Sequence, residues 1–148
     1  MDTTDKAIIR ALQENARMPI SRIAARVNLS VPATSERLRK LEASGLIQEY
    51  TAVLDPKVLG KTLTAIMFVS LERPRYNEEF TNMLQEEPEV LECHYLAGDY
   101  DYALKVVTRD TSTLEQLLNR LKGLKGVQKT KSIVVLSTVK SRHSVVPE

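Results

Sequence analysis

The stretch Ser30-Val31-Pro32-Ala33-Thr34-Ser35-Glu36-Arg37-Leu38-Arg39-Lys40-Leu41-Glu42-Ala43-Ser44-Gly45 decides how the first third of this chain folds. Ser30 is a hydroxyl residue placed to cap a helix, and Pro32 falls in the first turn, where its missing N–H costs nothing. Gly45 ends the run as a left-handed C′ residue. At 100° per residue, Val31, Thr34, Leu38, Leu41 and Gly45 gather on one side, while Pro32, Ala33, Glu36, Arg37, Arg39 and Lys40 spread over the rest. One face is expected to pack, leaving the basic one free.

Toward the start of the chain, Asp2 with Asp5, or Thr4 directly, caps a first helix running to about Asn15, with Ile8, Ile9 and Leu12 at helical intervals. Pro19 opens a short second helix in which Ile20, Ile23, Ala24 and Val27 share a face, and Asn28-Leu29 is the turn before Ser30. The result is a compact helical unit whose last helix has the character of one that reads DNA.

Beyond Gly45 the period changes. Residues 46–54 alternate in part and are rich in strand formers, so a strand is expected there until Asp55-Pro56 breaks it, with a hinge over 57–60. A doubled pattern follows. Strand 63–71, helix 77–87 with Phe80, Met83 and Leu84, and strand 90–97 make the first half. Strand 102–108, helix 112–122 with Leu114, Leu117, Leu118 and Leu121, and strand 127–139 make the second. Two βαβ units side by side specify a ferredoxin-like βαββαβ sheet with both helices on one face. Ala65, Met67 and Val69 set against Ile66, Phe68 and Ser70 leave neither side of the first strand strongly polar. A second copy of the sheet is therefore expected to cover the open face, the alternative being a monomer with an apolar surface. The expected class is α+β, with a helical domain over 1–50, a hinge strand and linker over 51–61, and the sheet domain over 62–148.

The 148 residues, 43% of them apolar, suffice for a buried core, and the net charge of +2 leaves no polybasic tail. Contact with a polyanion must come from a local patch. Residues 1–50 hold eight Lys or Arg against six Asp or Glu, and residues 51–148 hold thirteen against thirteen, so the whole excess lies in the helical part. Arg22, Arg26, Arg37, Arg39 and Lys40 lie on or beside its last two helices, where each can pair with a phosphate oxygen. In the sheet domain residues 76–102 carry eight acids and no Lys or Arg, whereas residues 116–147 carry seven bases and no acid, a segregation able to attract one subunit to another. The single cysteine, Cys93, excludes an internal disulfide and fits a reducing cytosol. Apolar runs such as 133–136 are too short to span a bilayer, and Met1–Asp5 is acidic where a secretory signal is basic. A soluble cytoplasmic protein is expected, with no membrane partner.

Taken in order, Asp2-x-x-Asp5, Leu29-Ser30, the run Glu36 to Glu42, Ser44-Gly45-Leu46-Ile47, Leu59-Gly60 and Gly98-Asp99-Tyr100-Asp101-Tyr102 resemble the Lrp/AsnC family, the leucine-responsive and feast/famine transcription regulators. The resemblance covers essentially the whole chain. It implies a winged-type helix-turn-helix at the N-terminus, a hinge strand, and a C-terminal ligand-sensing domain that dimerises through its sheet. It implies double-stranded DNA as one partner, an amino-acid effector as another, and assembly of homodimers into octamers or larger, in a bacterial or archaeal cytosol and associated with the nucleoid. No cofactor is implied.

Carried onto this chain, the recognition helix is 31–44. The second helix of such a motif enters the major groove by its N-terminal part, which puts Ser30, Pro32, Ala33, Ser35 and Glu36 nearest the bases and Arg37, Arg39 and Lys40 on phosphates, helped by Arg22 and Arg26. Pro32 and Ala33 offer only apolar contact, so DNA bending and half-site spacing are expected to supply much of the specificity, on A·T-rich, loosely palindromic sites. Ion pairs of Arg37 or Arg39 with Glu36 or Glu42 are the plain alternative. In the family the effector lies near the 98–101 loop and the last strand. Asp99 or Asp101 suits its ammonium, backbone N–H groups beside Gly98 its carboxylate, and Tyr100, Thr130, Ser132, Ile133 and Val134 complete the candidate set. The simpler reading of Gly98-Asp99 is a β-turn between two strands, and the two readings are compatible.

Two other functions remain open on sequence grounds. Some proteins that resemble this architecture are tetrapyrrole decarboxylases using His and Arg in the sensing domain; here the histidines are His94 and His143, and no Ser/His/Asp or Cys/His set can be assembled. Cys93-His94 is too sparse for structural zinc. An architectural DNA-wrapping protein without effector control is the other.

Overall fold

The computed structural model describes every residue except His143, so that histidine lies outside the described residues. The chain divides into Met1–Val53 together with Ser141–Glu148, and Leu54–Lys140. The expected sheet domain thus loses its last residues to the helical unit.

In that unit α1 spans Thr3–Glu14, α2 Ile20–Val27 and α3 Val31–Ala43. Asp2 and Asp5 cap α1 reciprocally: Asp2 Oδ1 accepts from the Asp5 N–H at 2.8 Å, and Asp5 Oδ2 accepts from the Asp2 N–H at 3.0 Å. Pro19 sits just outside α2, which ends at Asn28 in the left-handed region with φ 55°. Ser30 Oγ accepts from the Ala33 N–H at 3.3 Å, and Gly45 follows α3 with φ 73°. Ile8, Ala11, Ile23 and Leu41 form the core, flanked by Ile9, Leu12, Met18, Val27, Leu38 and Ile47. Thr34 is fully buried but satisfied, its Oγ1 donating to the Ser30 carbonyl at 3.0 Å. The packed stripe of α3 is narrower than expected: Val31 and Gly45 are exposed, because the two ends of the helix run past the cluster centred on Ile8 and Ile23.

The strand expected over 46–54 does not form. Its backbone has no neighbouring strand to complete a ladder, and Leu46, Tyr50, Val53 and Leu54 are all exposed. The hinge forms as a turn, with the Gly60 and Lys61 N–H groups donating to the carbonyls of Lys57 and Pro56.

The second unit contains β1 Leu63–Leu71, a 3-10 turn Pro74–Tyr76, α4 Asn77–Gln85, β2 Val90–Tyr95, β3 Tyr102–Thr108, α5 Thr111–Gly123 and β4 Val127–Val134. The sheet order is β2-β3-β1-β4 with every neighbouring pair antiparallel, as a split βαβ pair requires. Both helices cover one face: Tyr76, Phe80, Leu84, Leu114, Leu117 and Leu121 pack on Ala65, Met67, Val69, Tyr102, Leu104 and Val106. The last strand stops at Val134 rather than 139, since its partner β1 begins at Leu63 and the final ladder bond is Val135 N–H to the Thr64 carbonyl. β2 likewise stops at Tyr95, where its pairing with β3 ends at Tyr102.

Gly126 holds the entry to β4. Its φ is +88°, and a Cβ there would meet the Tyr76 ring carbons at 2.2 Å. Gly126→Ala is expected to cost roughly 2–4 kcal/mol, combining left-handed strain with overpacking. Urea denaturation should report it as a lower midpoint at unchanged slope; an unmoved midpoint would show that Tyr76 yields freely.

Candidate nucleic-acid interface and ligand site

The exposed side of α3 carries Pro32, Ala33, Ser35, Glu36, Arg39 and Lys40, with the cap Ser30 also exposed. Arg39 Nη2 and Lys40 Nζ lie 2.8 and 3.6 Å from the same Glu36 oxygen, and the two cationic side chains are 67% and 70% exposed. Hydrogen bonding from Arg39 holds the Glu36 carboxyl below its ordinary range. This is the pairing that the plainer sequence reading expects of Arg39, in a solvated setting that contributes little.

Arg37 and Arg26 face other duties. Arg37 Nη1 reaches Asp2 at 2.7 Å and Asp5 at 2.8 Å, so it ties α3 to the capping box of α1. The Asp5 N–H bond, then Arg37, keep the Asp2 carboxyl below its usual range. Arg26 makes a two-point pair with Glu14 at 2.5 and 2.6 Å, joining α2 to α1. A phosphate at either guanidinium must compete with carboxylates already in place. Arg22 is exposed on α2 and has no ion pair among the described residues.

In the sheet domain, residues 98–101 link β2 to β3 and close over the end of β1. The Asp101 N–H donates to the Val69 carbonyl at 3.0 Å, its carbonyl accepts from the Leu96 N–H at 2.7 Å, and its Oδ2 accepts from the Leu71 N–H at 2.6 Å. The Asp101 carboxylate is therefore committed to the backbone. Asp99 is exposed, and its side chain makes no hydrogen bond among the described residues; its carbonyl accepts from Ser70 Oγ at 3.4 Å. Tyr100 stacks on Phe68 with ring centroids 5.5 Å apart, and Lys129 Nζ lies 4.9 Å from the Tyr100 centroid.

β4 contributes unevenly to this corner. Thr130 pairs with Val69, close to the loop, whereas Ser132 and Val134 pair with Met67 and Ala65, farther along the strand. Ile133 pairs with Ile66, on the sheet face opposite to the one carrying Thr130, Ser132 and Val134. The expected set of four thus does not converge in one protomer, because alternation along a strand splits consecutive residues between faces. Lys129 and Ser70 belong to the corner although the sequence does not mark either as a site residue. The signal available is register: Lys129 and Ser70 are opposite each other across β4 and β1.

His94 is exposed on β2, its Nε2 3.2 Å from Glu92 Oε2, and Lys105 reaches the other Glu92 oxygen at 2.9 Å. Burial raises the Cys93 thiol pKa. Among the described residues no three His, Cys, Asp or Glu side chains are grouped to hold a metal, and no helix is long and apolar enough to cross a membrane.

Comparison with known proteins bears on both halves. A family model described as a winged helix-turn-helix DNA-binding domain matches residues 1–48, and one described as the Lrp/AsnC ligand binding domain matches residues 64–145. The chain is 37% identical over 149 residues to the leucine-responsive regulatory protein of Escherichia coli K12, covering 99% of this chain and 91% of that one. It is 34% identical over 140 residues to the HTH-type transcriptional regulator FL11 of Pyrococcus horikoshii, covering 95% and 92%. Among solved structures, a transcriptional regulator from Neisseria meningitidis in complex with L-Met superposes with a TM-score of 0.93 at 33% identity, covering 98% and 96%. The feast or famine regulatory protein of M. tuberculosis complexed with L-methionine gives 0.90 at 32%, covering 99% of each chain. These relatives are transcriptional regulators rather than enzymes. A capped basic helix in a helix-turn-helix, joined in one chain to the four-stranded sheet of a ligand-binding domain, matches them from end to end, and the chain belongs to the Lrp/AsnC family of DNA-binding transcriptional regulators.

Proposed function

We propose that this regulator reads duplex DNA through the N-terminal half of α3 and that a free amino acid, bound beside the 98–101 loop, shifts its DNA affinity or assembly. Ser30, Pro32, Ala33, Ser35 and Glu36 face the bases; Arg22, Arg39 and Lys40 meet phosphates; Arg26 and Arg37 orient the helices through their ion pairs. At the effector site Asp99 accepts the ammonium, N–H groups beside Gly98 take the carboxylate, and Asp101 braces the loop. Tyr100 and Lys129 line the same corner; Thr130 lies beside it on the other face of β4, and Ser132, Ile133 and Val134 join it only across subunits. The protein works in the cytosol as homodimers joined through the open sheet face, assembled into octamers or larger.

The observation that carries the effector reading is the contrast within one loop: Asp101 is used up by the Leu71 N–H, and Asp99 keeps its carboxylate for something else. Thermal denaturation with each of the twenty amino acids tests it. L-methionine heads the panel because two relatives of known structure carry it. A ligand at about 100 times its Kd stabilises by about 2.7 kcal/mol, a rise of several degrees in Tm for a chain of this size. The rise should be confined to one or a few amino acids and vanish in Asp99→Asn. Asp101→Asn should lower Tm without any ligand. No rise with any amino acid would reduce the loop to a turn and favour architectural DNA binding.

A further inference from the structure

The segment 144–148 packs within the helical unit, held there by two side chains of α1. Arg10 Nη2 donates to the Pro147 carbonyl at 2.9 Å and Gln13 Nε2 to the Val145 carbonyl at 2.6 Å. The spacing on each side fits the other. Residues three apart on a helix lie on one face about 5–6 Å apart, and carbonyls two residues apart in extended chain point the same way about 6–7 Å apart. Pro147 helps, because its ring fixes its own φ and confines Val146 to extended backbone. Val145 is 86% exposed and Val146 53%, so α1 grips the backbone of the segment and leaves its valines in solvent. Arg10 and Gln13 are exposed on α1, on a different helix from every residue assigned to DNA.

The chain passes between its two units twice, at Val53–Leu54 and again at Lys140–Ser141. The first passage, residues 46–62, contains no helix or strand, and Val53, Leu54, Val58 and Leu59 along it are exposed. A single tether of that kind would let the helical unit reorient widely. The second passage leaves β4, the strand that carries Thr130, and ends in the grip of Arg10 and Gln13.

We propose that segment 144–148 is a strap: docked on α1, it gives the DNA-binding unit a second attachment and thereby limits the half-site spacings that a dimer can occupy. The proposal rests on the DNA-reading role given above. Two DNA-binding units held in fixed relation engage two half-sites only when these lie on one side of the duplex, one helical turn or a multiple apart. Units on slack tethers tolerate other phases, at lower effective concentration for each.

The test is selection from a pool of randomised duplexes by the whole protein, by the double variant Arg10→Ala with Gln13→Ala, and by a chain ended at residue 143. The enriched half-site motif and the distances between its two copies are read by sequencing. The native protein should enrich pairs in one helical phase. Both variants should enrich the same half-site motif, with the ratio of in-phase to out-of-phase pairs reduced by about tenfold, on the scale of avidity effects. The same spacing distribution in both variants as in the native chain would overturn the strap. Loss of the half-site motif itself would also overturn it, since the segment would then be supporting the fold of the helices. Failure of the native protein to enrich any motif would instead count against the DNA-reading role.

Discussion

Changing Arg22, Arg39 and Lys40 together to alanine should lower affinity for duplex DNA of every sequence by at least about 100-fold at physiological salt, with the helical unit still folded. Three cations per protomer make six in the proposed homodimer, and each phosphate contact contributes about 0.9 to the slope of log affinity against log salt, so the slope should flatten by about five. Arg39 and Lys40 are suited to this role because they are mostly exposed and share one carboxylate, Glu36, in a solvent-screened pair that a phosphate can replace at small cost. Arg22 has no such partner to release among the described residues. Arg37 does not belong in the triple. It is bonded to Asp2 and Asp5, so its removal would mix lost stability with lost binding. Fluorescence anisotropy across a salt series on two unrelated duplexes separates the alternatives. An equal loss on both with a flatter slope fits phosphate contacts; an unchanged slope would take α3 off the DNA.

What could be read from residues alone follows from how local each feature is. The caps at Asp2, Ser30 and Gly45, and the helices between them, depend on contacts within a few positions, and they form where the spacing places them. The strands of the sheet are legible as runs of strand formers between turn residues, but not which side of each is buried: β1 alternates in burial although both of its sides are apolar in sequence. The strand expected over 46–54 fails for the opposite reason: a strand exists only beside a partner, and within one chain that stretch has none. Strand ends at 95 and 134 were over-run for the same cause, since apolar residues continue past the point where the neighbouring strand stops. Charge is harder still. Nothing in the run Glu36 to Glu42 says that Arg37 turns toward Asp2 and Asp5, more than thirty positions away, while Arg39 turns toward its own helix. The effector corner suffers most: Lys129, Ser70 and Tyr100 meet only through the register of β1 with β4 and the fold-back of the loop.

Ile66→Asp with Phe68→Asp should convert the proposed homodimer to monomers and reduce affinity for paired half-sites by about 100-fold or more, because each unit then binds alone. Ile66 sits opposite Lys105 and Ile133, and Phe68 opposite Ala103 and Lys131, all on the face turned away from α4 and α5. Ile133 is 45% exposed, while Ile66 and Phe68 are partly covered by their neighbours, so β1 and β4 carry an apolar strip on this face, flanked by Lys105 on β3 and Lys131 on β4. The Glu92 carboxylate pairs with Lys105 and reaches His94, so the cation nearest the strip is compensated in place. Such a surface has a ready partner in a second copy of itself, since a two-fold axis sets the same patch of both copies face to face. Two carboxylates per protomer on that strip are harmless in a monomer, where water reaches them, and cost several kcal/mol when pressed between two sheets. The packed side of the sheet, with Met67, Val69, Leu104 and Val106, is untouched, so circular dichroism and cooperative unfolding should persist. Sedimentation equilibrium reads the outcome directly: a mass near that of one chain places the interface on this face, and a dimer surviving both substitutions moves it elsewhere.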